Sequence, residues 1–459
     1  MVSGDGQSVP VRNTGGQAEQ RAPRKYTFLD DAPLGRFHCK IAGLTFGAHF
    51  TEGYALGTVG YALPSLSKQM GLDAVWNGLL GSSALIGIFF GSLVFGWLSD
   101  RIGRQKIFLL SFTIITVAAF AQFYANSALT LCLLRVLLGF GMGGDFAVGH
   151  AILAEFSPRK HRGMLLGSFS VIWTIGYVAA NVIGMHYAEV LPDAWRWLLA
   201  SAGVPALLVL ILRVGTPESP RWLLGMGRLS EAQAIVRRYF GAGVRLDTSK
   251  MPERPHVGGF ARLFHRDLIR RTLFNCIFFV CLVIPYFAIY TFLPSILKLI
   301  HLSESGGADL LLNGFLIAGA LLGIWLTLVL PRRVFLISSF FVTWVCLVVL
   351  SLLPESSTTG MIVAFALFTL IMSAVSNLVG VFPPECFPTE VRACGVGLAV
   401  ACSRLGSAVG TFLLPVGVEQ FGFPVAMMVL ATVLLVGMLV SVAWAPETRH
   451  LRLNDAARV

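Results

Sequence analysis

Glu155, Pro158 and Arg162 return as Glu385, Pro388 and Arg392, with the same spacing of three and then four residues. Pro217-Glu218-Ser219 returns as Pro446-Glu447-Thr448 at nearly the same offset. A constant shift across separate motifs means two halves made to one plan. Each copy follows an apolar stretch and is rich in charge, as expected where helices leave a membrane.

The apolar stretches set the fold class. Of the 459 residues 55% are hydrophobic and 13% charged, and the mean hydropathy is +0.74, too apolar for a hydrated surface. A hydrocarbon core of about 30 Å calls for about 20 apolar residues per helix. Twelve such spans can be read, at about 41–66, 78–99, 107–126, 129–154, 163–188, 194–214, 272–298, 308–330, 333–353, 359–383, 393–418 and 424–445. Six precede and six follow a polar insert. The expectation is an all-α membrane protein of twelve transmembrane helices, arranged as two six-helix parallel repeats. Its parts would be a tail (1–38), a six-helix bundle (39–217), a linker with short helices (218–270), a second bundle (271–448) and a second tail (449–459).

The charges orient the bundle. With a cytoplasmic amino terminus, the outer loops hold only Lys68, Arg196 and Lys298 among the basic residues, while Arg135 and Arg404 fall inside spans. All other Lys and Arg then lie in the cytoplasm, which is the positive-inside pattern. The net charge of +11 therefore reports topology. Spread over many short loops, these charges form no patch for nucleic acid. Residues 1–35 lack the apolar stretch of a signal peptide and read as a mostly disordered cytoplasmic tail. The eight cysteines lie in or beside spans and show no CxxC pair, so neither a disulfide framework nor a zinc site follows. No cofactor motif, nucleophile–base pair or metal-ligand spacing appears, which argues against an enzyme. In the insert, Ser230 and Gln233 have the spacing of a capping box and predict a helix from Ser230.

Gly96-Trp97-Leu98-Ser99-Asp100-Arg101-Ile102-Gly103-Arg104-Gln105-Lys106 joins spans two and three. Gly103 permits a tight reversal there that residues bearing a Cβ resist. This segment resembles the loop signature of the major facilitator superfamily. Its second-half counterpart keeps Arg332 and Arg333 but has Leu328 in place of the acid. Pro217-Glu218-Ser219-Pro220-Arg221-Trp222, Pro446-Glu447-Thr448-Arg449, Glu385 to Arg392 and Arg135 to Gly141 resemble sugar-porter signatures, and the likeness covers nearly the whole chain beyond residue 35. It implies a secondary transporter working by alternating access. It also implies that Asp100, Arg101, Arg104, Arg135, Glu155, Arg162, Glu218, Arg221, Glu385, Arg392 and Glu447 belong to a gate between helix ends and do not touch substrate.

The departures from the sugar porters narrow the substrate. The span-five Gln of those proteins falls at Ser170, their span-seven amides are replaced by Val283 to Tyr290, and their span-one Asp falls at Ala55. Without those amides a row of hydroxyls stays unsatisfied, at a cost. Span one carries His49 and Glu52-Gly53-Tyr54 instead. That stretch resembles the span-one acid segment of the metabolite and aromatic-acid:proton symporters and of the synaptic-vesicle-protein-like group, as do Leu34 to His38 and Gly143-Gly144-Asp145.

An ionisable residue within a span marks a functional site by default. Glu52 and Asp145 are candidates for proton coupling, with His49 one turn before Glu52 able to share the proton. Each has a structural alternative: a hydrogen bond for Glu52, packing for His49, and packing along the glycine-rich helix for Asp145. Arg404 offers a planar fork for a substrate carboxylate, or a counter-ion for Glu52 or Asp145. Tyr54, Trp173, Tyr177, Tyr286 and Tyr290 are candidates to stack on a flat ring, with Asn181, Asn313 and Asn377 as polar readers. Any of these can equally be core packing. The reading is proton-coupled import of a small, possibly aromatic, organic acid by a monomer in the cell inner membrane, its partners being the substrate, protons and the lipid bilayer. Sugar or polyol transport, organic-cation transport, export and a non-transporting receptor of the same fold remain alternatives.

Overall fold

A computed structural model gives the architecture and describes residues 27–187, 193–241, 243–246, 262–299, 307–354, 357–387 and 391–447. The first half contains α1 (Arg36–Met70), α2 (Ala74–Ile102), α3 (Arg104–Ala121), α4 (Ala128–Phe156), α5 (Arg159–Tyr187) and a sixth span split into α6 (Ala194–Ser201) and α7 (Gly203–Arg213). Two short helices follow, α8 (Pro220–Gly225) and α9 (Leu229–Phe240). The second half has α10 (Ile269–Thr291), α11 (Leu293–Leu299), α12 (Gly307–Val329), α13 (Arg332–Leu352), α14 (Thr358–Val375), α15 (Leu378–Cys386), α16 (Arg392–Phe421) and α17 (Phe423–Trp444). Eleven of these helical stretches are long and apolar enough to cross a membrane. The twelfth is α1, diluted by Thr45, His49, Thr51 and Glu52, all of them buried inside the protein. The chain is a multi-pass membrane protein of twelve spanning helices in two repeats.

Local chemistry sets the helix ends. Asp73 accepts the Trp76 amide at 2.8 Å to start α2, and Ser127 accepts the Thr130 amide at 3.2 Å to start α4. Gly103 sits at φ +111° between α2 and α3, and a Cβ there would lie 2.4 Å from Glu218 Oε2. The sequence reading of Gly103 holds for two reasons, conformation and space. Small residues also bring α2 and α4 into backbone contact, since a Cβ at Gly139 would meet the Ala84 carbonyl at 2.0 Å.

Two expectations for the polar segments are revised. Helix α9 starts one residue before Ser230, and its N-cap, Arg228, makes no side-chain cap bond. Gln233 instead holds the following strand, donating to the Val244 carbonyl at 3.2 Å. That strand (Val244–Arg245) pairs in parallel with Thr27–Phe28. Leu29 and Ala32 bury against Leu223, Ala232 and Val236, so residues 27–32 of the expected disordered tail are packed on the linker. Phe240 closes this unit against Phe37 and Phe156, with ring centroids at 5.3 and 6.2 Å.

Candidate functional site

The repeated motifs make the same bonds in both halves. Arg104 pairs with Glu155 at 3.0 Å and Arg332 pairs with Glu385 at 3.5 Å. Glu218 accepts the backbone amides of Arg104 and Gln105 at the start of α3, at 3.0 and 3.1 Å. Glu447 accepts those of Arg332 and Arg333 at the start of α13, at 3.0 and 3.1 Å. A carboxylate at a helix N-terminus satisfies amides with no partner inside the helix and complements the dipole. Ser219 also donates to Glu155, and Arg221 adds its charge to the surroundings of Glu155. Arg101 is exposed, its guanidinium 3.9 Å from the centre of the Trp97 ring. The side chains of Asp100, Arg162 and Arg392 lie outside the described residues.

Arg135 departs from the expected gate. It is buried two turns from the start of α4, at the end of the bundle opposite the linker, and donates to the Leu80 carbonyl at 3.1 Å. Its role there is to join α4 to α2.

The charges within the spans converge inside the bundle. Glu52 on α1 is fully buried, with the carboxyl of Asp145 as its side-chain hydrogen-bond neighbour. Its electrostatic neighbours are Asp145, Arg213 and Arg404. Asp145 is bound by Arg213, whose Nη1 lies 2.6 Å from Oδ1, and neither side chain is exposed to solvent. The same Nη1 donates to the Phe108 carbonyl at 2.7 Å, and the guanidinium lies over the Phe108 and Phe112 rings at 3.3 and 3.9 Å. Arg213 ends the sixth span, where it reads from sequence as one more cytoplasmic-side cation. The structure folds it inward between α3 and α4. The signal for it was the acid in α4, which needed a counter-ion.

Arg404 belongs to the second half and faces the first. Its guanidinium lies 4.8 Å from the Phe146 ring of α4 and 5.7 Å from the Phe287 ring of α10. Its Nε is buried without a hydrogen-bond partner. His49 stacks on Phe169 at 3.9 Å and lies 4.9 Å from the His150 ring. Each imidazole bonds through Nδ1 to the carbonyl one turn earlier, of Thr45 and Phe146 respectively, at 3.0 Å. The structure thus adds His150, Phe146, Phe169 and Phe287 to the residues singled out from sequence.

The aromatic candidates gather between the halves, with one exception. Trp173 stacks on Tyr177 at 5.5 Å and approaches Tyr286 at 6.2 Å, and Tyr286 lies 4.6 Å from Tyr290. Ser170, at the sugar porters' Gln position, meets Ser376 of the other half at 3.3 Å. Tyr54 is not part of this group: its hydroxyl bonds Ser201 at 2.8 Å and ties α1 to α6 within the first half. Asn377 donates to the Ala320 and Ala374 carbonyls at 3.0 and 3.2 Å, within the second half. Asn181 Nδ2 donates to Asn313 Oδ1 across the halves at 2.8 Å, while Asn313 Nδ2 donates to the Asp309 carbonyl of its own helix. Nearby, Tyr61 donates to Asp309 at 3.2 Å and Tyr177 to the Tyr290 carbonyl at 2.6 Å. These three bonds join the halves on the side away from the linker, whereas the Arg104–Glu155 and Arg332–Glu385 pairs at the linker end each lie within one half.

A buried charged site between two six-helix repeats is the arrangement of a secondary transporter of the major facilitator type. The Sugar (and other) transporter family model matches residues 41–459, and the chain belongs to that family. It is 55% identical over 432 residues to the inner membrane metabolite transport protein YgcS of Escherichia coli (strain K12), covering 94% of this chain and 96% of that one. It is 25% identical to the niacin transporter NiaP of Acinetobacter baylyi, over 93% of this chain and 98% of that one. The solved inward-open xylose transporter XylE of E. coli shares the fold, with a TM-score of 0.77 at 19% identity over 92% of this chain and 99% of that one. The chain is a transporter of small metabolites and not an enzyme.

Proposed function

We propose that this transporter imports a small organic acid, aromatic in its best substrates, in a proton-coupled step by alternating access, from the inner membrane with both termini in the cytoplasm. The observation that carries the reading is Arg404. A permanent cation with a buried, unpartnered Nε sits in an aromatic wall between the halves, with Glu52 among its electrostatic neighbours. In a low-dielectric wall such a charge attracts an anion strongly, and its fork suits a carboxylate. Trp173, Tyr286 and Phe287 offer ring faces close by, and niacin, which names a relative's substrate, is itself an aromatic carboxylic acid. Proton coupling is assigned to the acid pair Glu52 and Asp145 with His49. Sugar transport fits less well, because Ser170 and the Val283–Tyr290 stretch supply no amides for hydroxyls.

The test is uptake of radiolabelled nicotinate, benzoate and xylose into proteoliposomes under an inward proton gradient. The acids should accumulate above protein-free vesicles. Arg404→Lys should weaken their uptake and Arg404→Ala should abolish it. Uptake of xylose alone would replace the organic-acid reading with the sugar one.

A further inference from the structure

Helices α10 and α16 pack along a seam that keeps one register. A Cβ at Gly406 would lie 2.8 Å from Val280 Cγ1, and one at Gly410 would lie 2.7 Å from Ile284 Cγ2. Val280 and Ile284 thus rest on bare backbone of α16, and the two helices approach closely. Val280 to Ile284 and Gly406 to Gly410 are each about one helical turn, so the helices run the same way with matched steps. One turn back along both stand Cys276 and Cys402.

The contact this register implies is present: the two thiols are side-chain hydrogen-bond neighbours. Both are free and half-buried, whereas Cys281, Cys346 and Cys386 are buried. Close backbones and facing Cβ atoms are what a disulfide requires. We propose that Cys276 and Cys402 form a redox-active dithiol, which a small uncharged hydroperoxide converts to a disulfide that clamps α10 to α16. Cys402 comes two residues before Arg404, and α10 carries Tyr286, Phe287 and Tyr290. The bond therefore ties together the helices that hold the cation and the rings of the candidate site.

Both cysteines lie within spans, so the oxidant has to dissolve in the bilayer, which a charged reagent does poorly. The attacking sulfur forms an S–O bond while the peroxide O–O bond breaks, leaving a sulfenic acid and releasing an alcohol. The second thiol then attacks that sulfur; the S–S bond forms, the S–O bond breaks and water leaves. The thiol pair gives up two electrons and the hydroperoxide takes them. One thiol proton ends in the alcohol and the other in the water.

The probe is tert-butyl hydroperoxide, added to the full-length protein in nanodiscs and followed by denaturing alkylation and peptide mass spectrometry. The wild type should lose two of its eight alkylatable thiols and yield a peptide joining Cys276 to Cys402, both changes reversed by dithiothreitol. Cys276→Ser and Cys402→Ser should each keep all their remaining thiols and form no linked peptide. The oxidised wild type should melt several degrees above the reduced form, because the bond closes a long loop of the unfolded chain. All eight thiols surviving, or sulfinic acid at either cysteine in place of the link, would overturn the dithiol assignment. A link to a different cysteine would overturn the pairing, and a link without a rise in melting temperature would overturn the clamp. Phenylarsine oxide, which condenses with two facing thiols and loses water, tests the wild type alone if a variant fails to fold. It should shield this pair from N-ethylmaleimide, and an unshielded pair would overturn the juxtaposition.

Discussion

Arg213 shows what a sequence reading reaches at single residues. Glu52, Asp145 and Arg404 stand out because each interrupts an apolar run, and an isolated charge in hydrocarbon demands a reason. Arg213 lies at the seam between the sixth span and the linker, where a cation reads as an interfacial anchor. Only the three-dimensional path, with its side chain turned between α3 and α4, makes it the partner of Asp145. Tyr54 failed for the opposite reason: helical position alone does not tell a residue facing the other half from one facing α6. The Arg213 assignment has a measurable consequence. Arg213→Met should destabilise the protein by about 3–5 kcal/mol, because it leaves a buried carboxylate without its partner. Combining it with Asp145→Leu should recover most of the loss in thermal unfolding. A double variant no more stable than the single one would mean that the pair contributes by more than mutual neutralisation.

Helices and their ends were more legible. Twelve spans follow from length and apolarity, and the structure places a helix on each, α1 included despite its polar residues. The repeated acid–arginine motifs were visible as spacing, but their bonding was not. Glu218 and Glu447 turn out to cap the helices that follow the loop motifs, α3 and α13. The capping box read at Ser230 did not form, because Gln233 finds a better use on the Val244 strand. Local spacing cannot foresee a competitor from a distant segment. Capping makes the two glutamates comparable. Glu218→Ala and Glu447→Ala should each cost about 1–2 kcal/mol. Glu218 also accepts the Ser219 amide at 2.9 Å. Unchanged melting of both variants would refute the capping role. Gly103→Ala should be at least as damaging as Glu218→Ala, combining a φ of +111° with displacement of the Glu218 carboxylate. A stable, active Gly103→Ala protein would show that the loop has room to relax.

Over the whole molecule, the placement of bonds between halves says which way the bundle is closed. Tyr61–Asp309, Asn181–Asn313 and Tyr177 to the Tyr290 carbonyl all tie the halves on the side away from the linker. Alternating access requires these bonds to break in each cycle, since the halves must part there to admit substrate from that side. None of this was legible in the sequence. Asn181 and Asn313 read as polar lining for a ligand, and only their mutual contact reveals a latch. A cysteine at each of these positions, replacing both asparagines, tests it directly. The amides meet at 2.8 Å, so a short bis-methanethiosulfonate reagent should bridge the two thiols. Bridging should stop uptake and leave the linker end open to a soluble thiol reagent placed on that side, and a reductant should restore transport. The unbridged double variant should transport, because losing one neutral hydrogen bond costs only about 1 kcal/mol. Undiminished uptake with the bridge in place would mean that the halves do not separate along this seam, and the transport path would have to lie elsewhere in the molecule.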